Sequence, residues 1–255
     1  MEKSEFLKTG LEAAKKAEEI ILKYYSDEIR AELKEDMSPV TVADREAEKA
    51  IIEIIRLKFP DHSILGEESG SSDSASEYLW IIDPIDGTKN YMRKIPLFAT
   101  QIALMKDGEV IVGVSNAPAL KELLYAEKGK GAYRNDRQIH VSKIDMLNKS
   151  YMSFGGLRHF EKKNLVDNLL VLVNSTQGHR GIGDFWSYHL LAQGKIEIMI
   201  EADTKIWDIA ALSLIVREAG GNVTDIKGGA VGKETTSIIA TNEIVHDEVL
   251  GILGK

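Results

Sequence analysis

The chain of 255 residues contains no cysteine, which excludes disulfides, thiol catalysis and thiolate zinc sites together and fits a reducing cytoplasm. It has no apolar run of the roughly 18 residues that a membrane-spanning helix needs, and its first residues lack the apolar core of a signal peptide. The formal net charge of −8 argues against a surface that follows nucleic-acid phosphates. We therefore expect a cytoplasmic protein that binds neither membranes nor nucleic acids. An anionic ligand would need a local countercharge such as a metal ion.

The first 77 residues are predicted to be mainly helical. Apolar residues at helical spacing predict an amphipathic helix over residues 3–25 and a second helix from Thr41 to Lys58. The polar segment 27–39 between them is predicted to be a hairpin or a mobile loop. A low-complexity stretch of small and acidic residues at 70–77 predicts a flexible loop rather than a domain linker.

The hydrophobic period then changes to two, as in a β-sheet. Five short segments between residues 78 and 135 are rich in β-branched and aromatic residues and are separated by turn residues, which predicts an antiparallel meander. The sequence "KDGE" at 106–109 fits a hairpin turn between two of these strands.

After residue 150, strand patterns and helix patterns alternate. We predict strands near residues 150–154, 171–176, 196–202, 222–226 and 237–242, and helices near 160–169, 185–193, 206–219 and at the C-terminus. Helices, then a sheet, then alternating elements indicate layered α and β structure rather than a β/α barrel. The length allows one large domain or two intimate halves, which we place at 1–145 and 146–255.

The stretch "WIIDPIDGTKNY" at 80–91 places Asp83 and Asp86 directly behind an apolar run. Two carboxylates so close together repel each other, and burying them without a partner is costly, so a cation between them is a simple solution. Mg²⁺ prefers carboxylate and carbonyl oxygens, and the carbonyl of Ile85 lies between the two acids. Taken alone, the motif also fits an aspartate-rich turn.

Two further acidic clusters stand at the ends of predicted elements. Glu67 and Glu68 follow a strand-like segment in "LGEES", and Asp208 lies in the first turn of a predicted helix, where it could simply stabilise the helix dipole. Three such clusters together predict a metal site. The six histidines show no metal-ligand spacing, and we expect none of them to be catalytic.

The motifs "GEES", "WIIDPIDGTKNY" and "IWDIAALSLIVREAGG" closely resemble those of the inositol monophosphatase family of Mg²⁺-dependent phosphatases. The resemblance runs nearly from end to end of the chain. It implies an alternating αβαβα sandwich, two or three Mg²⁺ ions, hydrolysis of a small phosphorylated metabolite and a homodimer. Matched by position, the resemblance assigns the metal ligands as Glu67, Asp83 and the Ile85 carbonyl for one ion, Asp83, Asp86 and Asp208 for a second, and Glu67 through water for a third.

The resemblance also implies catalytic roles. Thr88 and Glu67 would orient and deprotonate a metal-bound water, and Asp44 would accept a hydrogen bond from Thr88. Thr88 fits an ordinary helix N-cap as well. Backbone N–H groups around Gly87 and Thr88 would bind phosphate oxygens. Lys34 resembles a mobile-loop residue near the third ion and fits an exposed lysine equally well.

The stretch "GDFWSY" at 183–188 looks like the histidinol-phosphate phosphatase branch of this family. Asp184 and Glu201 could pair with the ammonium group of that substrate, and Phe185 or Trp186 could offer an aromatic face. Asp184 fits a helix N-cap equally well, and one of the two aromatic residues must pack in the core. The predicted substrate-binding set is Asp86, Gly87, Thr88, Asp184 and Glu201.

The sequence thus predicts Mg²⁺-dependent hydrolysis of histidinol phosphate to histidinol and phosphate. The alternative within the same class is an inositol-1-phosphate phosphatase with broad tolerance. An inactive relative that binds phosphorylated metabolites is disfavoured because every acidic ligand is intact, and a Ca²⁺-stabilised module is disfavoured because no EF-hand loop is present. Arg180 could pair with Asp184, reach the substrate or contact a neighbouring subunit.

Overall fold

A computed structural model describes residues 2–26, 31–33, 39–71 and 76–254. Lys34 and residues 72–75 of the predicted flexible loop lie outside these ranges. Within them, none of the helices combines the length and the apolar character needed to cross a bilayer.

The described residues form eight α-helices and fifteen β-strands, with 3₁₀ turns at Pro118–Leu120 and Leu147–Lys149. The helices are α1 (Glu5–Ser26), α2 (Val42–Lys58), α3 (Thr88–Met92), α4 (Leu157–Lys162), α5 (Val166–Ser175), α6 (Asp184–Ala192), α7 (Ile206–Glu218) and α8 (His246–Leu253). The strands are β1 (Ala31–Leu33), β2 (Pro39–Thr41), β3 (Ser63–Gly66), β4 (Gly70–Ser71), β5 (Tyr78–Asp86), β6 (Ala99–Lys106), β7 (Glu109–Ala117), β8 (Glu122–Glu127), β9 (Ala132–Arg134), β10 (Arg137–Ile139), β11 (Tyr151–Phe154), β12 (Gly178–Arg180), β13 (Ile198–Glu201), β14 (Asn222–Thr224) and β15 (Ile238–Thr241).

Two large sheets organise the chain. The eight-stranded sheet has the order β10-β9-β8-β7-β6-β5-β3-β4, and its strands are antiparallel except for the pair β3–β5. The predicted meander over β5 to β9 is confirmed, as is the hairpin turn, where Asp107 and Gly108 both have positive φ angles. The five-stranded sheet has the order β12-β11-β13-β15-β14, and β1 and β2 form a separate antiparallel pair.

The chain forms five layers, because alternate side chains of each large sheet pack against helices on its two opposite faces. On one face of β5, Trp80 and Ile82 pack with α1 and α2, while on the other face Leu79 and Ile81 pack with α6 and α7. The five-stranded sheet covers the far side of α6 and α7, and its opposite face packs against α4, α5 and α8. The order α/β/α/β/α confirms the predicted sandwich. The division of the chain at residue 145 stays a prediction.

The predicted strand at 171–176 is wrong, because these residues lie at the end of α5 and in the turn that follows it. Leu169 and Leu172 are buried while Leu170 and Val171 are about half exposed, which is the spacing of a surface helix. The predicted helix at 160–169 is in fact two helices, separated by a break at which Asn164 has a positive φ angle. A run of valine and leucine is ambiguous between strand and helix, and here packing on α8 decides in favour of helix.

The middle helical layer lies directly on the backbone of the large sheet. Gly113 on β7 has no side chain, and a Cβ added there would lie 2.6 Å from the carbonyl oxygen of Ala211 on α7. A close approach of this kind sets the height of α7 above the sheet, and α7 carries Asp208 in its first turn.

We expect Gly113→Ala to lower the free energy of unfolding by about 1–3 kcal/mol, because the added methyl group overpacks the contact between β7 and α7. The matched control is Gly251→Ala on α8, where a Cβ meets nothing within 4 Å. That substitution should be neutral or stabilise by about 0.5–1 kcal/mol, since alanine favours the helix. Denaturant unfolding measures both variants, and equal stabilities for the two would contradict the close contact.

Candidate active site

A pocket opens where the end of β5 meets the turn after β3 and the starts of α3, α6 and α7. No lysine or arginine is among the described residues that line it, whereas seven lining side chains are acidic. These seven are Glu67, Asp83, Asp86, Asp184, Glu201, Asp203 and Asp208. Such an excess of acidic side chains in one pocket favours a ligand that carries positive charge.

The end of β5 places Asp83 and Asp86 in the pocket. The pairing of β5 with β6 shifts register between these two residues, so the strand bends where the acids stand. Both are buried, and the Oδ1 atom of Asp83 accepts a hydrogen bond from the backbone N–H of Ile85 at 2.9 Å. Gly87 follows with a φ angle of 85°, and a Cβ there would lie 2.7 Å from the carbonyl oxygen of Leu97. Glycine is therefore required for the turn into α3.

Burial and neighbouring negative charge raise the pKa values of Asp83, Asp86 and Asp208. Burial, followed by the charge of Glu67, raises the pKa of Asp83 well above its usual range. Burial also raises the pKa of Asp86, with Asp184 and Asp208 as the next causes. Burial raises the pKa of Asp208 to about 6. A bound cation would reverse these shifts, because it favours the ionised forms.

The donor chemistry of the pocket fits a hard cation such as Mg²⁺, which binds carboxylate and carbonyl oxygens. As the side chains stand, no group of three or more acidic or histidine side chains in the described parts of the chain is arranged to hold an ion. The acids are instead engaged by the protein. The Oδ2 atom of Asp86 accepts from the N–H of Phe185 at 3.1 Å, and that of Asp208 accepts from the N–H of Lys205 at 2.8 Å and from Thr204 at 3.1 Å.

Buried polar atoms without partners concentrate at this pocket. Four buried side-chain atoms in the described chain have no hydrogen-bond partner, and three of them belong to Asp44, Gln101 and Tyr188. Tyr188 lines the pocket, Gln101 donates to Asp86 at 3.4 Å, and the charge of Glu67 helps to raise the pKa of Asp44. Because native proteins pair nearly all buried polar groups, such atoms indicate a site that a ligand or water completes.

The pocket brings together nine of the ten residues that the sequence proposed for the site. They are Glu67, Asp83, Ile85, Asp86, Gly87, Thr88, Asp184, Glu201 and Asp208. Asp44 is fully buried and does not line the pocket.

The expected hydrogen bond from Thr88 to Asp44 is not made. The Thr88 hydroxyl donates to the Ile85 carbonyl at 3.0 Å, and the Oδ2 atom of Asp44 accepts from the backbone N–H and hydroxyl of Thr41 at the start of α2. The second oxygen of Asp44 has no partner, and burial raises the pKa of this residue to about 6. Thr88 is also not a helix N-cap, because Gly87 occupies that position.

Asp184 does not cap α6 with its side chain. Gly183 is the N-cap residue, and Asp184 is the first residue of the helix, with a φ angle of 49° that is unusual for a residue other than glycine. Its backbone N–H donates to Glu201 at 3.1 Å, and its carboxylate accepts from Asn90 at 3.3 Å. The carboxylate is therefore available to the pocket.

The prediction that Phe185 or Trp186 offers an aromatic face is wrong. Phe185 is fully buried in the core and Trp186 packs beside that core, so neither lines the pocket. The aromatic side chain in the lining is Tyr188, one helical turn further on. Arg180 is exposed on β12 and donates to the carbonyl of His179 in its own strand.

Other residues of the site were missed. His159 and Asp203 line the pocket, and Gln101 and Glu48 support it from behind. A signal was available for Glu48, because this acid stands on the buried stripe of α2 beside Ala47 and Ile51. A charged residue on an apolar helix face has a buried partner.

Known proteins resemble the chain over its whole length. A sequence model of the inositol monophosphatase family matches residues 2–253. Histidinol-phosphatase of Mycobacterium tuberculosis is 38% identical over 250 residues, which is 96% of each chain. Fructose-1,6-bisphosphatase/inositol-1-monophosphatase of Thermotoga maritima is 36% identical over 85% of this chain and 82% of that protein. The crystal structure of the extragenic suppressor protein suhB of Bartonella henselae superposes with a TM-score of 0.91 at 33% identity, covering 99% of both chains.

We expect Tyr188→Phe to leave the free energy of unfolding of the metal-free protein unchanged or to raise it by up to about 1–3 kcal/mol, because the buried hydroxyl that it removes has no hydrogen-bond partner. The control is Tyr91→Phe. That hydroxyl is equally buried but donates to the carbonyl of Ile21 at 2.9 Å, so its loss should cost about 1–3 kcal/mol. Thermal and denaturant unfolding in EDTA compare the two variants. A large loss for Tyr188→Phe would show that its hydroxyl is bonded within the protein.

Proposed function

The chain belongs to the inositol monophosphatase family and is a phosphoric monoester hydrolase, and on that premise we propose that it is a Mg²⁺-dependent phosphatase of histidinol phosphate. As part of the proposal, the enzyme acts as a homodimer in the cytoplasm. The choice of substrate rests on the charge of the pocket. Among the described residues that line it, seven are acidic and none is lysine or arginine.

We assign four of the seven acids to metal ions. Glu67, Asp83 and the Ile85 carbonyl would hold one ion, Asp83, Asp86 and Asp208 a second, and Glu67 would share a third through water. The support is that these groups lie in one pocket, where burial and then neighbouring acids raise the pKa values of Asp83 and Asp86. When bound, Mg²⁺ neutralises the phosphate and activates water for the attack.

The residues of the chain would position the reactants. Glu67 would accept the proton of the attacking water, and the hydroxyl of Thr88 would orient that water. The backbone N–H groups of Gly87 and Thr88 stand at the start of α3, where a helix leaves its first N–H groups without intrahelical acceptors, and would bind phosphate oxygens.

Three acids remain for the leaving group: Asp184, Glu201 and Asp203. Burial, followed by the charge of Asp184, raises the pKa of Glu201 well above its usual range. Burial also raises the pKa of Asp184, and the positive charge of Lys89, which is outside the lining, offsets only part of that rise. An ester that carries an ammonium group would pair with these acids, whereas the hydroxyls of inositol would leave their charges unpaired. Inositol 1-phosphate stays the second candidate, because the Thermotoga maritima relative is named for that activity.

The first test measures phosphate release from histidinol phosphate and from myo-inositol 1-phosphate, with Mg²⁺ and with excess EDTA. We expect activity only with Mg²⁺, and a kcat/KM for histidinol phosphate about tenfold or more above that for inositol 1-phosphate, which corresponds to at least one additional charged contact. A preference for inositol 1-phosphate would contradict the substrate assignment. Activity that persists in EDTA would contradict the metal assignment.

The second test replaces Asp184 by asparagine, which removes the charge and tolerates the positive φ angle. We expect kcat/KM for histidinol phosphate to fall by about 10- to 100-fold, since a contact to a charged group is lost. Hydrolysis of 4-nitrophenyl phosphate, which carries no ammonium group, should change little. The control is Asp107→Asn in the hairpin turn, at the same φ angle of 49° but remote from the pocket. Equal losses for both substrates would remove Asp184 from substrate recognition.

A further inference from the structure

Glu48 lies in the middle of α2 and is 3% exposed, although it carries a carboxylate. Both of its oxygens are used. Oε2 accepts a hydrogen bond from the backbone N–H of Glu68 at 3.0 Å, and Oε1 accepts one from the N–H of Ser69 at 2.8 Å. Glu48 thereby ties α2 to the turn that follows β3.

The same turn carries Glu67. The backbone N–H of Glu67 donates to the carbonyl of Ile82 on β5 at 3.0 Å, so the turn is held by β5 on one side and by Glu48 on the other. Gly66, immediately before Glu67, allows the side chain of Glu48 to approach the turn, because a Cβ at position 66 would lie 2.6 Å from the carboxyl group of Glu48. The backbone of Glu67 therefore has its position fixed from both sides.

We propose that Glu48 is a positioning residue that holds Glu67 in place for Mg²⁺ and thereby sets the Mg²⁺ requirement of the enzyme. The inference rests on the proposed function, in which Glu67 is a metal ligand. Glu48 does not line the active-site pocket, so in this proposal it would contact neither substrate nor ion. It acts only through the turn.

The chemistry requires a carboxylate at this position. A glutamine has a single side-chain oxygen, and its amide nitrogen would face one of the two backbone N–H donors, so at least one hydrogen bond is lost. Replacing a group that orients a metal ligand from behind typically lowers metal affinity or activity by about 10- to 100-fold. A purely structural glutamate would affect stability alone.

The experiment compares Glu48→Gln with the wild type and with Glu53→Gln, an exposed glutamate on the same helix. Phosphate release is titrated with Mg²⁺ at saturating substrate, and the rise in Tm on adding Mg²⁺ is measured without substrate. We expect Glu48→Gln to need about tenfold more Mg²⁺ or more for the half-maximal rate and for the half-maximal rise in Tm. KM at saturating Mg²⁺ should be unchanged, and Glu53→Gln should match the wild type.

Gly66→Ala provides a second route to the same contact. It leaves every charge in place and displaces the carboxyl group of Glu48, so it should raise the Mg²⁺ requirement as Glu48→Gln does. It also keeps the test decisive if Glu48→Gln does not fold.

Two outcomes would overturn the inference in distinguishable ways. Variants that are folded and less stable, yet respond to Mg²⁺ as the wild type does, would show that Glu48 is structural while leaving the proposed function intact. A wild type whose activity and Tm both ignore Mg²⁺ would contradict the metal-dependent function itself.

Discussion

Repulsion among buried carboxylates is the constraint on which the site depends. Asp83, Asp86 and Asp208 come from two distant segments of the chain, and burial in a common pocket raises the pKa of each. Among the described residues, backbone donors rather than lysine or arginine side chains offset part of this cost. Ile85, Phe185 and Lys205 each supply an N–H to one acid. The donors fix the acids without neutralising them, so the remaining charge is left for a cation.

The layered fold is what allows these donors to act across elements. Asp86 stands at the end of a strand of the large sheet, and its donor Phe185 belongs to a helix of the middle layer. The close contacts of Gly113 with the backbone of α7 and of Gly66 with the side chain of Glu48 leave little freedom for α7 or for the turn that carries Glu67. Displacing one layer would therefore move acids and donors together. The site is a property of the packing between layers rather than of any single motif.

The sequence predicted the parts of the site that are local. The acids at the ends of β3 and β5 and at the start of α7 follow from short motifs, and the sandwich follows from the order of the elements and the family resemblance. What it missed depends on contacts between distant segments. The packing of α6 decides whether Phe185 or Tyr188 faces the pocket. Thr88 donates to Ile85 rather than to Asp44, and Asp44 instead forms a capping box with Thr41 at the start of α2. The segment 171–176 carries a strand-like composition that only packing on α8 overrides.

Six of the seven acids that line the pocket fall into two groups on different sheets, and the seventh, Asp208, stands on α7 in the middle layer. Glu67, Asp83 and Asp86 follow β3 or end β5 in the eight-stranded sheet, whereas Glu201 ends β13 of the five-stranded sheet and Asp203 follows it. The backbone N–H of Asp184 donates a hydrogen bond to Glu201, which joins Asp184 to the second group. Because the groups rest on separate sheets, residues around Glu201 can change while Glu67, Asp83 and Asp86 keep their places at the ends of β3 and β5. Such a separation explains physically how one phosphatase fold can accept leaving groups of different charge while its hydrolytic chemistry stays the same.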